Sequence, residues 1–368
     1  MGRHWRWVAV AIGVAVLLCL PLAARLLPAG SSSVDAATLL ARVQASARVP
    51  YAGYAQSTGG LALPIDTGEF SLADLLGGTS HLRVWWRGAS DWRVDSVTAS
   101  GEVDLHHDTA GTWTWNYESN TTELADERPP PVVRVPRADD LVPGNLARRL
   151  LSHTTAAQVS SLPNARIAGR HAAGLRMHVN DKRSTIDHID VWALPANGVP
   201  VRVITYGVDG STVVSTTMLD LSLQRPSART TGFEPPSGSR FPGSGFGDVV
   251  SAINEFGSGR PPDTLGGLAR IDDPRLGAVG DYGGGVTQLV AIPLNPRLAG
   301  NVVAQVSGAP GAVEDERGIA LTAGPVSLQL SPPTGFGARW LLVGTVTAAT
   351  LRAAVPSLPP AQGLRFGR

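Results

Sequence analysis

Five of the nine tryptophans in this 368-residue chain lie in two short stretches. Residues 81–97 have the sequence HLRVWWRGASDWRVDSV, and residues 111–117 have the sequence GTWTWNY. Apolar side chains alternate with polar ones through both stretches, and Gly88, Ala89 and Ser90 interrupt the first of them. Strict alternation over several residues is typical of half-buried strands, and strands joined by short turns form antiparallel hairpins. The two stretches therefore predict the centre of an antiparallel sheet.

The same alternation continues further along the chain. Additional strands are predicted at about residues 165–179, 186–194, 199–207 and 212–223. An amphipathic helix is predicted over residues 34–47 with Ser33 as its N-cap. A second, short helix is predicted over residues 141–152, capped by Asp139 and Asp140. These elements predict a mainly β architecture with a large sheet and few helices.

Length suggests two folded domains, and composition divides the chain into five parts. Residues 1–30 are predicted to be a membrane anchor or signal peptide, 34–238 a β-rich domain, 239–265 a Pro/Gly/Ser-rich linker, 266–356 a smaller α+β domain and 357–368 a flexible tail. The smaller domain combines predicted strands at 286–294, 318–323, 326–331 and 339–346 with helices at 296–306 and after Thr347.

The N-terminus has the pattern of a membrane signal. Arg3 and Arg6 precede an apolar run from Val8 to Ala24, and Arg25 follows it. Positive charges keep their side of a span in the cytoplasm, and about 17–25 apolar residues suffice to cross a bilayer. We therefore expect a single N-terminal span in the cell membrane, with the bulk of the chain extracytoplasmic. The alternative is a cleaved signal peptide and a secreted or exported chain.

Composition and motifs argue against several classes of function. The formal net charge is +1, which gives no electrostatic basis for binding nucleic acid. No nucleophile elbow, phosphate loop or zinc-protease motif is present, so we predict no enzyme, no catalytic residue and no cofactor. His106 and His107 are adjacent on a predicted strand and point to opposite faces, so we predict no metal site and expect both to be solvated.

The alternating residues of the two stretches form one candidate site. If they share one face of the sheet, they make an apolar groove, and Trp85 lies on the other face with Arg83 and Arg87. The groove residues are Leu82, Val84, Trp86, Trp92, Val94, Trp113, Trp115 and Tyr117. Two interpretations remain open from the pattern: these side chains fill a closed core, or they line a cavity for an apolar guest.

Several segments in order resemble the LolA/RseB superfamily. They are PYAGYAQS, LRVWWRGASDWRVD, GTWTWNYESNTTEL and IDVWALPANGVPVRV, followed by TTMLDLSL and FEPP. The likeness covers about residues 34–238 and is closest to RseB (MucB) N-terminal domains of GC-rich Gram-positive bacteria. The resemblance implies a half-open antiparallel β-barrel covered by a helix and followed by a smaller α+β domain.

The resemblance also implies a function without catalysis. Members hold the acyl chains of lipids or lipoproteins in the apolar concavity, and RseB-like proteins restrain a membrane anti-sigma factor. We therefore expect a membrane-tethered, extracytoplasmic lipid- or lipoprotein-binding sensor that regulates an envelope signalling partner. The alternative is a LolA-like carrier or chaperone that passes lipids or lipoproteins to another envelope component.

Overall fold

The computed structural model describes residues 34–60, 77–98, 101–127, 134, 136–241, 260–334 and 337–360. The predicted N-terminal span, most of the predicted linker and most of the predicted tail lie outside these residues. Within the described ranges, no helix is both long and apolar enough to cross a membrane.

The first structural unit is an antiparallel sheet of eleven strands. Its strands are β1 (Tyr51–Gly59), β2 (Thr79–Gly88), β3 (Asp91–Val97), β4 (Glu102–Asp108), β5 (Gly111–Asn116), β6 (Thr121–Ala125), β7 (Val159–Ile167), β8 (Arg170–His178), β9 (Ile186–Ala193), β10 (Pro200–Gly207) and β11 (Thr212–Ser222). Their order is β6-β5-β4-β3-β2-β1-β11-β10-β9-β8-β7, and the end strands β6 and β7 do not pair with each other. The predicted half-open, mainly β architecture is confirmed.

Tight turns explain where the strands begin and end. A turn at Asn197 and Gly198 connects β9 to β10, and Gly198 adopts a φ of 72°. A side chain there would lie 2.3 Å from the Arg42 carbonyl group, so the position requires glycine. The prediction of one strand over 165–179 is wrong. A turn at Ala168 and Gly169, both with positive φ, separates β7 from β8.

Two helices pack on one face of the sheet, which we call the inner face. Helix α1 (Ala36–Ala45) runs into a 3-10 turn at Ser46–Arg48. Its N-cap is Asp35, whose carboxylate accepts a hydrogen bond from the Thr38 amide at 2.9 Å, rather than the predicted Ser33. The apolar stripe of α1 packs on β7–β10 through Leu39, Leu40 and Val43.

Helix α2 (Pro143–Leu150) is the second helix on the inner face. Asp139 and Asp140 do not cap it, because they lie in a preceding 3-10 turn, Ala138–Leu141. Their carboxylates instead form ion pairs with Arg134 and Arg137. The side-chain hydroxyl of Thr216 on β11 donates to the Leu141 carbonyl at 2.7 Å and ties this turn to the sheet.

A segment after β11 returns across the opposite, outer face of the sheet. We call Pro226–Phe241 the outer strap; it contains the one-turn helix α3 (Ala228–Thr231). Arg87 donates to the Pro226 carbonyl at 2.6 Å. At the far end, the Thr122 amide donates to the Arg240 carbonyl at 2.8 Å. The strap therefore covers β2–β6 on the side that the helices leave free.

The second structural unit is a smaller α+β body. Its elements are β12 (Thr264–Leu265), β13 (Leu268–Ala269), β14 (Gly280–Gly284), β15 (Thr287–Leu294), α4 (Pro296–Ser307), β16 (Val313–Asp315), β17 (Gly318–Ala323), β18 (Val326–Leu330), β19 (Arg339–Gly344) and α5 (Ala348–Ala354). Six of the strands form a sheet in the order β14-β15-β19-β18-β17-β16. Asn295 caps α4, and the predicted cap of α5, Thr347, is confirmed.

The connection between β8 and β9 joins the two units. The backbone at Ser184 forms an antiparallel bridge with Val346. On either side, the Thr185 amide donates to the Thr345 carbonyl at 3.0 Å, and the Thr347 amide donates to the Arg183 carbonyl at 2.8 Å. A strand-like contact of this kind fixes the register between the units in the same way as a short sheet ladder.

Candidate functional site

The inner face carries a row of stacked rings across four neighbouring strands. Tyr51 on β1 stacks on Trp86 of β2, with ring centroids 6.2 Å apart. Trp86 stacks on Trp92 of β3 at 6.0 Å, and Trp92 stacks on His107 of β4 at 5.2 Å. These residues are register partners, so the pairing of the strands itself brings the rings together.

Five of the eight predicted groove residues belong to this inner face. Leu82, Val84, Trp86, Trp92 and Val94 share one hydrophobic cluster, and none is more than 4% exposed. They pack with the 3-10 turn Ala138–Leu141 and with Val142 in a closed cluster rather than in an open groove. The Trp86 indole N–H donates to the Ala47 carbonyl at 2.8 Å, which holds the 3-10 turn after α1 against the row of rings.

The other three predicted groove residues are not on this face, and that prediction is wrong. Trp92 pairs with His107, and His107 pairs with Thr112, so the inner side of β5 carries threonines. Trp113 and Trp115 therefore share the outer face with Trp85, whose placement there is confirmed. Tyr117 follows the strand and is 61% exposed.

On the outer face, Trp113 contacts the outer strap and Trp115 contacts a turn. Trp113 contacts the ring of Phe233 in the strap at 5.5 Å, and His106 contacts the same ring at 4.8 Å. Trp115 instead donates its indole N–H to Asn120 at 3.2 Å. His106 and His107 do point to opposite faces, as predicted, but His106 is buried and His107 is half-buried rather than solvated, and burial lowers the pKa of each.

A polar site that sequence reasoning missed lies beside the stacked rings. The guanidinium of Arg148 on α2 sits 4.9 Å from the Trp86 ring centroid. It hydrogen bonds to Ser46 and Asn145, but no carboxylate of the described residues forms an ion pair with it. Burial lowers the pKa of Arg148. The site therefore contains a largely desolvated cation without an anion.

Tyr51 completes this polar site. Its hydroxyl is buried and has no hydrogen-bond partner among the described residues. Burial raises the pKa of Tyr51 to about 12, so the phenol stays a neutral donor. A methyl group placed on Gly144 would lie 2.7 Å from the Tyr51 hydroxyl and 3.2 Å from Arg148 Nη1, so both polar ends face the same glycine. A phenol without an acceptor, beside a guanidinium without a carboxylate, forms a local preference for an anion.

A cavity of about 460 Å³ lies at the junction of the two structural units. Its walls come from the end of α2, from residues 177–181 at the end of β8 and just after it, and from residues 267–269 and 283–287 of the second unit. The glycine turn at 283–285 forms the hairpin between β14 and β15 and is part of this wall. Junctions between domains are preferred positions for binding sites.

The open antiparallel half-barrel with a helix across its inner face, followed by a smaller α+β unit, is a fold that is also found among solved structures. No protein-family model and no curated protein matches the chain. Among solved structures, the MucA/MucB complex of Pseudomonas aeruginosa matches with a TM-score of 0.51 at 15% identity, covering 89% of this chain and 99% of that one.

Two further solved structures have lower scores. A structure of MucB has a TM-score of 0.45 at 15% identity and covers 88% of this chain and 98% of that one. The LolA superfamily protein NE2245 from Nitrosomonas europaea has a TM-score of 0.24 at 11% identity, covering 55% of this chain and 99% of that one. These matches leave the predicted affinity with proteins of GC-rich Gram-positive bacteria unsupported.

Proposed function

We propose that this chain is a non-catalytic, extracytoplasmic regulator that binds an envelope protein and senses an anionic acyl ligand. The observation that carries the proposal is the two-unit fold, which matches MucB in its complex with MucA over 99% of the MucB chain. A membrane anti-sigma factor is the partner class that the family resemblance implies. The expected membrane tether, Val8–Ala24, would keep such a regulator beside its partner.

The acyl ligand is proposed to enter the inner face beneath α1. Its hydrocarbon chain would replace the contacts that the α1 stripe makes with the sheet, and its acid group would accept hydrogen bonds from Tyr51 and Arg148. The unmatched donors support an acid rather than a neutral lipid, because a buried cation without a counterion is costly. The ligand and α1 then compete for the same surface of the sheet, so ligand binding changes the position of α1, as a sensor requires.

The packing of the inner face favours this sensor over the carrier alternative. A carrier of the LolA kind needs open space for its cargo, whereas the sheet residues that α1 covers, Leu175, Ile189 and Val191, are each 0% exposed. Displacing α1 would uncover a large apolar area. The ligand must offset the free energy of this displacement, so we expect its apparent affinity to be low. Such a threshold suits detection of a signal better than continuous transport.

We also propose that the predicted division of the chain into a domain at 34–238 and a domain at 266–356 reflects two separable bodies. The contacts of the outer strap extend the first body to Arg240, and Leu265 packs in a cluster of the second. Limited proteolysis followed by mass spectrometry tests the division. We expect first cleavage between Phe241 and Arg260; earlier cleavage within β2–β6 would contradict it.

The ligand proposal is tested by binding of a fluorescent fatty acid and of its methyl ester to the purified chain. We expect the acid to bind more tightly than the ester. Arg148→Met keeps most of the apolar stem and removes the charge, so it should weaken binding of the acid by about tenfold or more, equivalent to one charged hydrogen bond. The ester should be affected little.

Arg202→Met is the matched control, because Arg202 stacks on Trp192 on the outer face, 5.7 Å from the ring centroid. It should leave the binding of both probes unchanged. Equal binding of acid and ester by the wild-type chain, or an equal effect of the two arginine variants, would contradict the acid site. The partner proposal is tested separately by photo-crosslinking from Asn180 at the junction cavity, with exposed Leu298 on α4 as the control position.

A further inference from the structure

The outer face of β3 and β4 contains a buried polar cluster beneath the outer strap. We define the outer-face cluster as Arg93, Asp95, Asp104 and His106. The two aspartates are register partners, as are Arg93 and His106, so the four side chains form a square on adjacent strands. Asp95, Asp104 and His106 are 0%, 2% and 4% exposed. Three potential ligands of a metal ion thus lie together out of contact with solvent.

The charges of the cluster do not balance within the protein. Arg93 holds both oxygens of Asp95, at 2.6 and 2.9 Å, and one oxygen of Asp104, at 2.8 Å. Arg83 contacts Asp95 at 3.3 Å and also pairs with Glu102. Two guanidinium groups therefore face three carboxylates. Opposed like charges on paired strands are destabilising, so one positive charge is missing.

Asp104 is where the charge is missing. Its Oδ1 atom is buried and has no hydrogen-bond partner in the described part of the chain. Its other oxygen, Oδ2, accepts the hydrogen bond from Arg93. An unpaired carboxylate oxygen such as Oδ1 is open either to a proton or to a metal cation.

His106 is arranged in the manner of a metal ligand. Its Nδ1 lies 2.8 Å from the Thr231 carbonyl oxygen, which can only accept, so Nδ1 carries the ring proton. The lone pair is therefore on Nε2. Burial lowers the pKa of His106 and keeps the ring neutral. Histidines that bind metals characteristically donate their second ring N–H to a carbonyl or carboxylate, which fixes the tautomer.

We propose that the outer-face cluster binds a divalent transition metal of the zinc class, with one oxygen each from Asp95 and Asp104 and Nε2 of His106 as ligands. One ligand atom from each of the three residues lies within 4.8 Å of the others. Tetrahedral zinc with bonds of about 2.0–2.1 Å needs ligand atoms roughly 3.3 Å apart, so small rotations of the side chains complete the site. One imidazole with two carboxylates suits zinc or manganese better than calcium.

Metal binding would attach the outer strap to the sheet. His106 links the metal directly to the Thr231 carbonyl of the strap, and Phe233 covers the same ring. The ion would supply the positive charge that the facing carboxylates lack. The site would thus be structural, with no open path for a substrate, and it is independent of the ligand and partner proposals above.

The proposal is tested with the full chain in mild detergent after removal of metals by a chelator. We expect Zn²⁺ to bind with a stoichiometry of one by titration calorimetry and to raise the melting temperature, while Ca²⁺ does neither. Asp104→Asn has almost the same shape and should weaken Zn²⁺ binding by at least about 100-fold, the upper end of what loss of a supporting hydrogen bond costs a metal site. His106→Gln should do the same.

His178→Gln provides the matched control, since His178 is an exposed histidine on β8 and its loss should leave Zn²⁺ binding unchanged. If His106→Gln does not fold by circular dichroism, Asp104→Asn alone decides the question. Undiminished Zn²⁺ binding by Asp104→Asn would overturn the proposal, and so would a wild-type chain that binds no Zn²⁺ or is not stabilised by it. In those cases Asp104 is balanced by a proton alone.

Discussion

The two tryptophan-rich stretches have the same sequence pattern but lie in opposite environments. Trp86 and Trp92 are buried on the inner face, where each ring stacks on the side chain of the next strand. Trp113 and Trp115 are half-buried on the outer face, where the outer strap and a turn contact them. An alternating strand with large apolar residues therefore shows that one of its faces is covered, but not by which part of the chain.

Trp92→Ala is expected to have the largest effect on stability and tests the difference between the two faces most directly. Trp92→Ala removes a ring that is 4% exposed and stacked on both sides. It should lower the free energy of unfolding by about 3–5 kcal/mol, as is usual for a large core residue. Urea denaturation measures this, and Trp92→Phe, which keeps a stacking ring, should cost less. A loss below about 1 kcal/mol would show that the inner face is not closed.

A smaller loss is expected from Trp113→Ala on the outer face. Trp113 is half-buried and contacts Phe233 in the outer strap, so its removal should cost about 1–2 kcal/mol, roughly in proportion to the buried area. Because the contact lies on the strap, trypsin should cut the variant faster at Arg229. Unchanged cleavage at that site would mean that Phe233 is held by other contacts.

Trp85→Ala tests the remaining outer tryptophan and should have a still smaller effect. The guanidinium of Arg93 lies 5.1 Å from the Trp85 ring centroid. Loss of this cation–π contact should cost about 0.5–1 kcal/mol. Thermal unfolding of the variant beside Trp92→Ala provides the measurement. A loss as large as that of Trp92→Ala would remove the distinction between the two faces.

The smallest expected effect concerns ligand binding. Trp115→Ala should leave the affinity for a fluorescent fatty acid unchanged, because Trp115 is on the face opposite Tyr51 and Arg148. Parallel titrations of this variant and of Trp86→Phe provide the comparison. Weakened binding in Trp115→Ala with normal binding in Trp86→Phe would move the ligand to the outer face.

Local sequence patterns predicted most of the fold because most of it is local. Hairpins with short turns, the starts of α4 and α5, and the stripe of α1 depend on neighbouring residues. The open sheet and the second unit followed from their order and from the family resemblance. The break between β7 and β8 was missed because Ala168, a residue that rarely adopts positive φ, occupies the turn beside Gly169.

The site was less predictable because it depends on long-range packing. The face on which Trp113 lies could have been predicted from the two-residue turn between β4 and β5. That turn places Thr112 on the same face as Leu105, so Trp113 lies on the opposite face. Arg148 also left a signal: with Gly144, Ala147 and Leu151 it occupies the buried stripe of α2. No local pattern, however, indicates that the outer strap returns over β4 and buries Asp104 and His106.

The row of rings on the inner face has an optical consequence. Two indoles stacked at 6.0 Å with their planes 9° apart share their electronic excitation, so Trp86 and Trp92 should absorb circularly polarised light as a coupled pair. Separating the rings by a few ångströms would remove that coupling while leaving the strands paired. The ultraviolet circular dichroism of the native chain should therefore report movement of the inner face directly, without an attached label.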